Sequence, residues 1–519
     1  MNVKTLLFAV LVASFVQSCI SARIVVVYAV CSKSHMIAVM PAIEELAQRG
    51  HQVTVISPFK GIAKKVRNGR EIFLADIAKG MDEAEIDWFA MQRKGATQFL
   101  TMLTYIKEIS LKACDSILNL PEFREIVEKR DADLFIVDGM FHEFLFPIFD
   151  HIGVPFVTHS SSSAFPSTLV AMGAPIDYAS VPLPILDADD RMTFSQRLMN
   201  IIPNEIMGVL ITHYIKKDLE ALVKSHFPGV RSIAELEGEA SICIINSHPM
   251  TSWPRSLPPT MVPIGALHTR PAQPLPEGLK EFADGATDGL IVFTLGSFVP
   301  VSSMPKETLD TFIRVFSKIP QRVVWKWEAD APLNMPSNIM MVNWLPQQDL
   351  LGHNNTRVFI SHGGMLGTQE AAYHGVPMLG LPFGNDQRGN IAKVKRGGWG
   401  VQLGWDKIDD QSLTEAFTYL IHDPNVRANA SRVSALMRDQ LMPGVDVAVY
   451  WIEYVIRHGG TKHLQLSSKN MPFYQRHLID VCLFVTSVLS IILYLIFIIG
   501  RKLFRSCLSR SKNVKTKKN

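Results

Sequence analysis

The chain has 519 residues, of which 47% are apolar, so it is long enough to bury two hydrophobic cores. Its formal net charge is +4, but nine of its 52 Lys and Arg residues lie at Lys4 or within residues 501–519, and the other 43 face 48 acidic residues. The body of the chain is therefore mildly acidic, which argues against nucleic acid as a partner.

Residues 1–22 have the pattern of a secretory signal peptide. A short basic start is followed by an apolar run over residues 6–16 and by small residues suited to cleavage, among them Ser21 and Ala22. A permanent N-terminal anchor is the weaker alternative because the apolar run is short.

A first series of strands and helices follows the signal peptide. Residues 36–49 have an amphipathic helical pattern between two β-branched runs, and Gly50 closes it. This β-α-β order predicts a parallel sheet with helices on both faces, without the Gly-x-Gly-x-x-Gly pattern of dinucleotide sites. The predicted strands are residues 24–28, 52–56, 134–137 and 155–157.

Eight prolines within residues 249–289 predict an interdomain linker without regular elements. A second doubly wound series follows it, with strands predicted at residues 290–294, 323–326, 339–342, 358–360 and 378–381. We expect an N-terminal Rossmann-like domain over residues 23–268 and a C-terminal one over residues 269–445, with C-terminal helices and the membrane approach over residues 446–480. A cleft between two such domains places ligands at the carboxyl ends of the strands.

The longest motif follows a strand of the second series. Residues 359–370 read Phe-Ile-Ser-His-Gly-Gly-Met-Leu-Gly-Thr-Gln-Glu, and residues 382–387 read Pro-Phe-Gly-Asn-Asp-Gln. Two glycines before a helix let a diphosphate approach the helix N-terminus closely, with His362 as a further donor. The Glu370 carboxylate suits ribose hydroxyls, and Asp386 and Gln387 suit a hexose. Each residue taken alone also fits an ordinary turn, cap or solvated position.

Two other strand ends carry nucleotide-binding candidates. Ser297 follows a strand and a glycine, where its hydroxyl and nearby amides can reach phosphate; a plain serine turn is the alternative. Trp344 offers a face for a flat uracil and Gln347 an amide for its edge or the ribose, although a tryptophan after a strand also suits a core.

Together these motifs resemble the UDP-glycosyltransferases, the family of membrane-bound animal enzymes that includes the UDP-glucuronosyltransferases. The resemblance covers almost the whole chain, including residues 190–194 and 449–454. It implies a GT-B type α/β fold with two Rossmann-like domains facing a cleft and one C-terminal transmembrane helix. Many animal members have a polar residue where this chain has Leu366, so a phosphate contact there falls to the backbone. The implied UDP-sugar-binding residues are Ser297, Trp344, Gln347, His362, Gly364, Gly367, Glu370, Asp386 and Gln387.

The first series supplies a general base and its orienting acid. His35 follows the first strand and Asp138 a later one, so both are expected at the cleft, although a helix-start histidine and an ordinary cap are the simpler interpretations. A histidine can take the proton of an acceptor hydroxyl while a carboxylate holds its tautomer. The resemblance places His35 and Asp138 in these catalytic roles. A base and a leaving group on opposite domains predict inversion without a covalent intermediate.

The predicted function is transfer of a hexosyl or glucuronosyl group from UDP-glucose or UDP-glucuronate to a small lipophilic alcohol or phenol. Apolar residues 87–91 and 99–105 suit such an acceptor, but equally a core or a membrane-facing surface. The alternatives are a UDP-sugar epimerase of similar fold and a non-catalytic UDP-sugar-binding subunit.

No essential cofactor or metal is expected. The acids at residues 131–133 and 187–190 resemble a metal-binding Asp-x-Asp, but neither group follows a strand of the nucleotide half, which leaves only loosely bound magnesium open.

Residues 481–500 form an uncharged apolar segment long enough to cross a bilayer, so membrane lipid is a predicted partner. The basic tail, residues 501–519, predicts a cytosolic C-terminus and a lumenal body. Lys515 and Lys517 resemble a dilysine retrieval signal, which suggests a single-pass type I protein of the endoplasmic reticulum; a plain positive-inside tail is the alternative. The sequons at Asn354 and Asn429 are usable only with that topology. Three widely spaced body cysteines predict no disulfide framework, and homo- or hetero-oligomers stay open.

Overall fold

The computed structural model of the chain describes residues 21–82, 87–89, 96–297 and 299–515. The predicted signal peptide, residues 1–22, lies outside this range except for Ser21 and Ala22. The described chain divides into two compact units, Met1–Gln465 and Leu466–Asn519.

The first unit contains two parallel sheets, which confirms the predicted α/β class. The first sheet has seven strands in the order β3-β2-β1-β4-β5-β6-β7. Strands are added towards one edge from β1 to β3 and towards the other edge from β4 to β7, so the strand order reverses between the parallel neighbours β1 and β4. Ligands of such sheets bind at this reversal point. The strands are β1 Arg23–Val27, β2 Gln52–Ser57, β3 Arg70–Phe73, β4 Leu134–Asp138, β5 Phe156–Ser160, β6 Ile242–Ile245 and β7 Met261–Pro263.

The second sheet repeats this topology with six strands in the order β10-β9-β8-β11-β12-β13. Its reversal lies between β8 and β11, which pair directly from Leu290 opposite Thr356 to Thr294 opposite Ser361. The strands are β8 Leu290–Thr294, β9 Arg322–Lys326, β10 Ile339–Val342, β11 Thr356–Ser361, β12 Met378–Gly380 and β13 Gly400–Gln402.

Helices cover both faces of each sheet, so the central strands are apolar at nearly every position. All five residues of β4 and of β8 are buried, as expected for strands covered on two sides. The helices are α1 Lys33–Gln48, α2 Ala75–Asp82, α3 Ala96–Leu118, α4 Pro121–Lys129, α5 Phe146–Ile152, α6 Pro166–Ala171, α7 Phe194–Ile211, α8 Lys217–His226, α9 Ile233–Leu236, α10 Glu277–Asp284, α11 Lys306–Phe316, α12 Gln347–Leu351, α13 Met365–His374, α14 Gln387–Arg396, α15 Asp410–His422, α16 Pro424–Arg438 and α17 Gly444–His458.

Helix α17 returns from the second sheet to the first. Its buried Val449 and Ile452 belong to the same apolar cluster as Ile24 of β1 and Ile43 of α1. The hydroxyl of Thr461, just beyond α17, donates to the carbonyl of Ser241 ahead of β6. The chain therefore leaves this unit from the first half.

The expectation that prolines break every regular element between residues 249 and 289 is wrong. Strand β7 pairs in parallel with β6 inside this stretch, and α10 forms before β8. Proline is tolerated at both places: Pro263 ends the edge strand β7, and Pro276 precedes the first turn of α10.

The apolar stretch at residues 87–91 supplies core residues to the second half. Trp88 and Phe89 are buried in the cluster of the second sheet, and the ring centroid of Phe89 lies 5.0 Å from those of Phe383 and Trp405. Of the three interpretations of this stretch, a core position holds for Trp88 and Phe89, while residues 90 and 91 lie outside the described part.

The second unit contains helix α18, Phe473–Arg476, and the long helix α19, Ile479–Lys515. Within α19, Ile479–Ser506 is long and apolar enough to cross a membrane. Its 28 residues rise about 42 Å at 1.5 Å per residue, against a hydrocarbon core of about 30 Å. The predicted span, residues 481–500, lies inside this helix, and residues 516–519 of the predicted retrieval signal lie outside the described part.

Candidate active site at the reversal points of the two sheets

His35 and Asp138 meet at the reversal point of the first sheet. His35 lies in the first turn of α1, just after β1, and Asp138 ends the neighbouring strand β4. His35 Nδ1 is 2.5 Å from Asp138 Oδ2, although the two residues are 103 positions apart. The side chain of Asp138 is 1% exposed and that of His35 is 24% exposed, so the imidazole remains open to the cleft.

The pair has opposite pKa shifts. Burial acts to lower the pKa of His35, but the Asp138 carboxylate outweighs it, so the net pKa is raised. Burial acts to raise the pKa of Asp138, but His35 outweighs it, so that pKa is lowered. Asp138 is therefore ionised where His35 titrates, and it stabilises the imidazolium that forms when His35 accepts a proton.

Two further buried histidines surround Asp138, and both favour the neutral form. Burial lowers the pKa of His142 and lowers that of His159 to about 4. His159 Nδ1 contacts the hydroxyl of Tyr28 at 2.8 Å. His35 is thus the histidine of this group that has its pKa raised.

The second sheet has a glycine turn at its own reversal point. The His362 ring lies between Gly296 after β8 and Gly364 after β11, and a Cβ atom at either glycine would come within 2.6 Å of that ring. Gly296 also has φ +82°, which strains any other residue. These two glycines let the loops of β8 and β11 close around one imidazole.

Helix α13 begins directly at this turn, with Gly364 as its N-cap. The first-turn amides of a helix have no partners within the helix and carry partial positive charge, which suits a diphosphate. Leu366 lies in this first turn, so a phosphate contact at this position would still have to come from its backbone. Gly367 faces Gln347, whose Nε2 would be 3.4 Å from a Cβ atom.

His362 is held neutral next to a buried lysine. Burial, followed by the charge of Lys326, lowers the pKa of His362 to about 4. Lys326 ends β9, and its Nζ donates to the carbonyl of Gly296 at 2.8 Å. His362 can donate a hydrogen bond to phosphate, whereas the ammonium of Lys326 is paired with the Glu328 carboxylate at 2.8 Å.

Glu370 lies in α13 with its carboxylate already oriented. Gln347 Nε2 donates to one oxygen, and His268 Nε2 lies 3.4 Å from the other. His268 Nε2 also lies 3.2 Å from the carbonyl of Leu366, to which it donates. A carboxylate fixed in this way can accept from two adjacent hydroxyls, as a ribose requires.

Asp386 and Gln387 start helix α14 after β12. Gln387 Oε1 accepts from the amides of Phe383 and Gly384 at 2.7 and 3.2 Å, so this oxygen holds its own loop. Asn390 Nδ2 donates to Asp386 Oδ2 at 3.0 Å and to the carbonyl of Gly363 at 2.9 Å. Through Asn390, the hexose-binding candidate Asp386 is hydrogen-bonded to the glycine turn at Gly363.

Trp344 and Ser297 are the exposed members of the predicted set. Trp344 is 61% exposed, which favours the nucleotide-facing interpretation over a core position. Lys33 of the first half and Lys326 of the second lie over its ring at 5.3 and 5.9 Å from the centroid. Ser297 is exposed in the turn after Gly296.

The two halves face each other where His35 and Asp386 lie. The charge of Asp386 in the second half contributes to the raised pKa of His35 in the first. Burial raises the pKa of Asp386, and His35 opposes that change. Nearby, the amide of Gly389 donates to the carbonyl of Pro184 at 2.9 Å, so the start of α14 contacts the first half directly.

Several site residues escaped the sequence analysis. Lys326 follows the rule that polar residues at strand ends mark a site, and Asn390 lies one helical turn beyond Asp386, so both had a usable signal. His268 had none, because it approaches Glu370 only through tertiary structure. His142 was also missed.

The acids considered for a metal site contact cations or an amide instead. Asp131 and Asp133 bind Arg23 at 2.5 and 2.6 Å. Asp187 accepts from Gln402 at 3.2 Å, and Asp190 from Arg396 at 3.3 Å.

Comparisons with known proteins agree with this geometry. The family model described as UDP-glucoronosyl and UDP-glucosyl transferase matches residues 24–515. The chain is 33% identical to UDP-glycosyltransferase UGT5 of Dactylopius coccus over 93% of this chain and 92% of that one, and 32% identical to UDP-glucuronosyltransferase 2A2 of Mus musculus over 88% and 89%. A solved UDP-glucosyltransferase from Polygonum tinctorium has the same GT-B fold, with a TM-score of 0.58, 16% identity and coverage of 85% of this chain and 100% of that one.

Proposed function

The chain belongs to the UDP-glucuronosyl and UDP-glucosyl transferase family, and from this premise we propose that it transfers a hexosyl or glucuronosyl group from UDP to a hydroxyl of a small lipophilic acceptor with inversion. It is a UDP-glycosyltransferase, and its relatives give no support to the epimerase alternative.

The observation that carries the proposed mechanism is the His35–Asp138 contact facing Asp386 across the cleft. His35 is the general base, and Asp138 holds its Nδ1–H so that Nε2 points its lone pair at the acceptor hydroxyl. Asp386 and Gln387 orient the sugar between base and leaving group. The proton therefore has an acceptor on one side of the sugar and the diphosphate leaves on the other.

The bond changes balance without a further reactant. The acceptor oxygen forms a bond to the anomeric carbon as its proton passes to His35 Nε2. The bond from that carbon to the β-phosphate oxygen breaks, and its electron pair leaves with UDP. The first-turn amides of α13, His362 and Ser297 are placed to meet the increased charge, while Trp344, Gln347 and Glu370 hold the nucleoside.

We also propose that the body lies in the lumen of the endoplasmic reticulum, held by helix α19. An apolar span followed by a basic tail supports this orientation. A membrane-bound site also suits acceptors that partition into lipid.

The test is an initial-rate assay of membranes containing the full chain, with UDP-glucose and UDP-glucuronate against a panel of phenols. We expect transfer from at least one donor, with a β-linked product from an α-linked donor by NMR. His35→Ala should abolish transfer while leaving UDP binding intact, and His353→Ala, which changes a histidine bound to Asp284 at the surface, should do neither. Retained configuration, or full activity in His35→Ala, would overturn the mechanism.

A further inference from the structure

His142 connects the loop that leads into α1 and His35 with the loop that follows Asp138. It is 0% exposed and lies just after β4. Its Nδ1 is 2.7 Å from the carbonyl of Met140, an acceptor, so Nδ1 carries the hydrogen and donates. Nε2 is then the accepting nitrogen, and it receives the amide hydrogens of Ala29 at 2.7 Å and Val30 at 3.2 Å.

These bonds reach both members of the proposed catalytic pair. Ala29 and Val30 continue β1 towards α1, which begins two residues before His35. On the other side, the amide of Met140 donates to Asp138 Oδ1 at 2.9 Å. One imidazole ring thus spans from the His35 loop to the residue that holds the second oxygen of Asp138.

The neutral tautomer is essential to this connection. A hydrogen on Nε2 would repel the amide hydrogens of Ala29 and Val30, and both hydrogen bonds to these amides would break. Burial lowers the pKa of His142, while the carboxylates of Asp138 and Glu143 act to raise it and His35 acts to lower it. The ring therefore keeps its accepting nitrogen at the pH values where His35 changes charge.

We propose that His142 is a positioning residue for the transfer reaction, which sets the contact between His35 Nδ1 and Asp138 Oδ2 by fixing the β1–α1 loop against the loop after β4. The proposal rests on the proposed role of His35 as the base. His142 itself lies in the buried interior behind the pair, where it acts through Ala29, Val30 and Met140 and makes no contact with substrate.

The test compares His142→Phe with His142→Gln and with a matched control, His159→Phe. Phenylalanine keeps the ring but removes the acceptor, whereas the Gln amide oxygen reaches close to the position of Nε2. His159 is almost as buried, at 1% exposure, and its ring contacts the side-chain hydroxyl of Tyr28, whereas the His142 ring accepts from backbone amides of the β1–α1 loop. His159→Phe therefore reports the cost of losing a buried imidazole without losing the connection.

For His142→Phe we expect kcat to fall about 10- to 100-fold, as a displacement near 1 Å can produce, with an unchanged KM for the UDP-sugar. The acid limb of its kcat/KM profile should move to lower pH, because a His35 detached from Asp138 loses the charge that raises its pKa. His142→Gln should recover most of kcat and restore the limb. His159→Phe should lower Tm but keep kcat and the limb.

The positioning role of His142 would be contradicted if His142→Phe and His159→Phe lost kcat equally. It would also be contradicted if the acid limb of the kcat/KM profile of His142→Phe stayed at the wild-type pH. If His142→Phe fails to fold, as shown by lost UDP binding, His142→Asn replaces it, because its shorter amide cannot reach Ala29 and Val30; wild-type kcat in that variant overturns the proposal. Failure of the proposed function would appear separately, as full activity in His35→Ala.

Discussion

The two halves of the body share one strand order but assemble their sites in different ways. In the first half, a base and its acid come from residues 103 positions apart and meet at a buried contact. In the second half, most candidate groups come from the stretch between β11 and α14, and several already have hydrogen-bond partners: Glu370 accepts from Gln347, and Asp386 accepts from Asn390. Both sheets therefore present the same kind of edge at their strand ends, and we expect the side chains there to determine whether that edge transfers a proton or binds a diphosphate.

The charge environments differ in the same way. The first half places one ionised carboxylate among histidines and raises the pKa of the one that is open to the cleft. The second half keeps His362 neutral beside the unpaired first-turn amides of α13. A base needs a tuned pKa, whereas a leaving group needs fixed donors, so changes in the two halves should alter different kinetic constants.

The largest effect is expected from Asp138→Asn, which removes the carboxylate that contacts His35 in the first half and leaves the second half unchanged. The amide keeps the shape but can hold the wrong tautomer of His35 and no longer stabilises its imidazolium, so kcat should fall about 10³-fold or more. UDP binding, measured by calorimetry, should not change. Asp131→Asn, at an exposed carboxylate bound to Arg23, serves as the control. A wild-type kcat in Asp138→Asn would remove this residue from the mechanism.

The next largest effect should come from Glu370→Ala, which weakens only the second half. Loss of a charged acceptor for the ribose costs about 1.5–3 kcal/mol, or roughly 10- to 100-fold in the donor KM. At saturating donor, kcat should stay within a few-fold of wild type. Glu415→Ala, at an exposed helix position, should leave both constants unchanged. A fall in kcat at unchanged KM would mean that Glu370 acts on the reacting centre instead.

A smaller effect is expected from the titration of His35, which should change kcat/KM and folding stability in opposite directions as the pH rises. Neutral His35 is the active form, so kcat/KM should fall about tenfold per unit below its raised pKa. Protonated His35 is the form that Asp138 stabilises, so its contribution to folding is full below about 6.5, the pKa of an unfolded histidine, and is lost as pH rises through the folded pKa. The difference in Tm between wild type and His35→Gln should therefore shrink as activity rises. A constant difference across pH 5–9 would contradict the raised pKa.

The smallest effect is expected at the two sequons of the second half. Asn354 is exposed, whereas Asn429 lies inside α16 and its Nδ2 donates to the carbonyl of Gly398 at 3.1 Å. We therefore propose that Asn354 carries the glycan. Asn354→Gln should remove the endoglycosidase-sensitive mobility shift with unchanged kcat, and Asn429→Gln should not. A shift lost only in Asn429→Gln would reverse this assignment.

The long central strands of both sheets could be predicted because buried parallel strands are continuous apolar runs. The central strand β8 begins and ends as predicted, and so does the four-residue edge strand β10. Four strands were missed, and β7 and β13 have only three residues each, too few to show a period. Their place in a sheet depends on a neighbour, which local sequence does not contain.

The same limit applies to the site. The glycine turn and Glu370 could be predicted because one continuous motif contains them. Only tertiary structure brings His268 from the proline-rich crossing to Glu370, and His142 to the amides of the β1 loop. Residues that hold other residues in place carry no local pattern, so the sequence predicts candidate reacting groups more readily than the residues that support them.

Helix α17 has a mechanical consequence for the enzyme. Because it packs with α1 and the core of the first sheet, the second half is joined to the first by two chain crossings, one after β7 and one before α17. We therefore expect any relative movement of the two halves to bend the chain at both crossings.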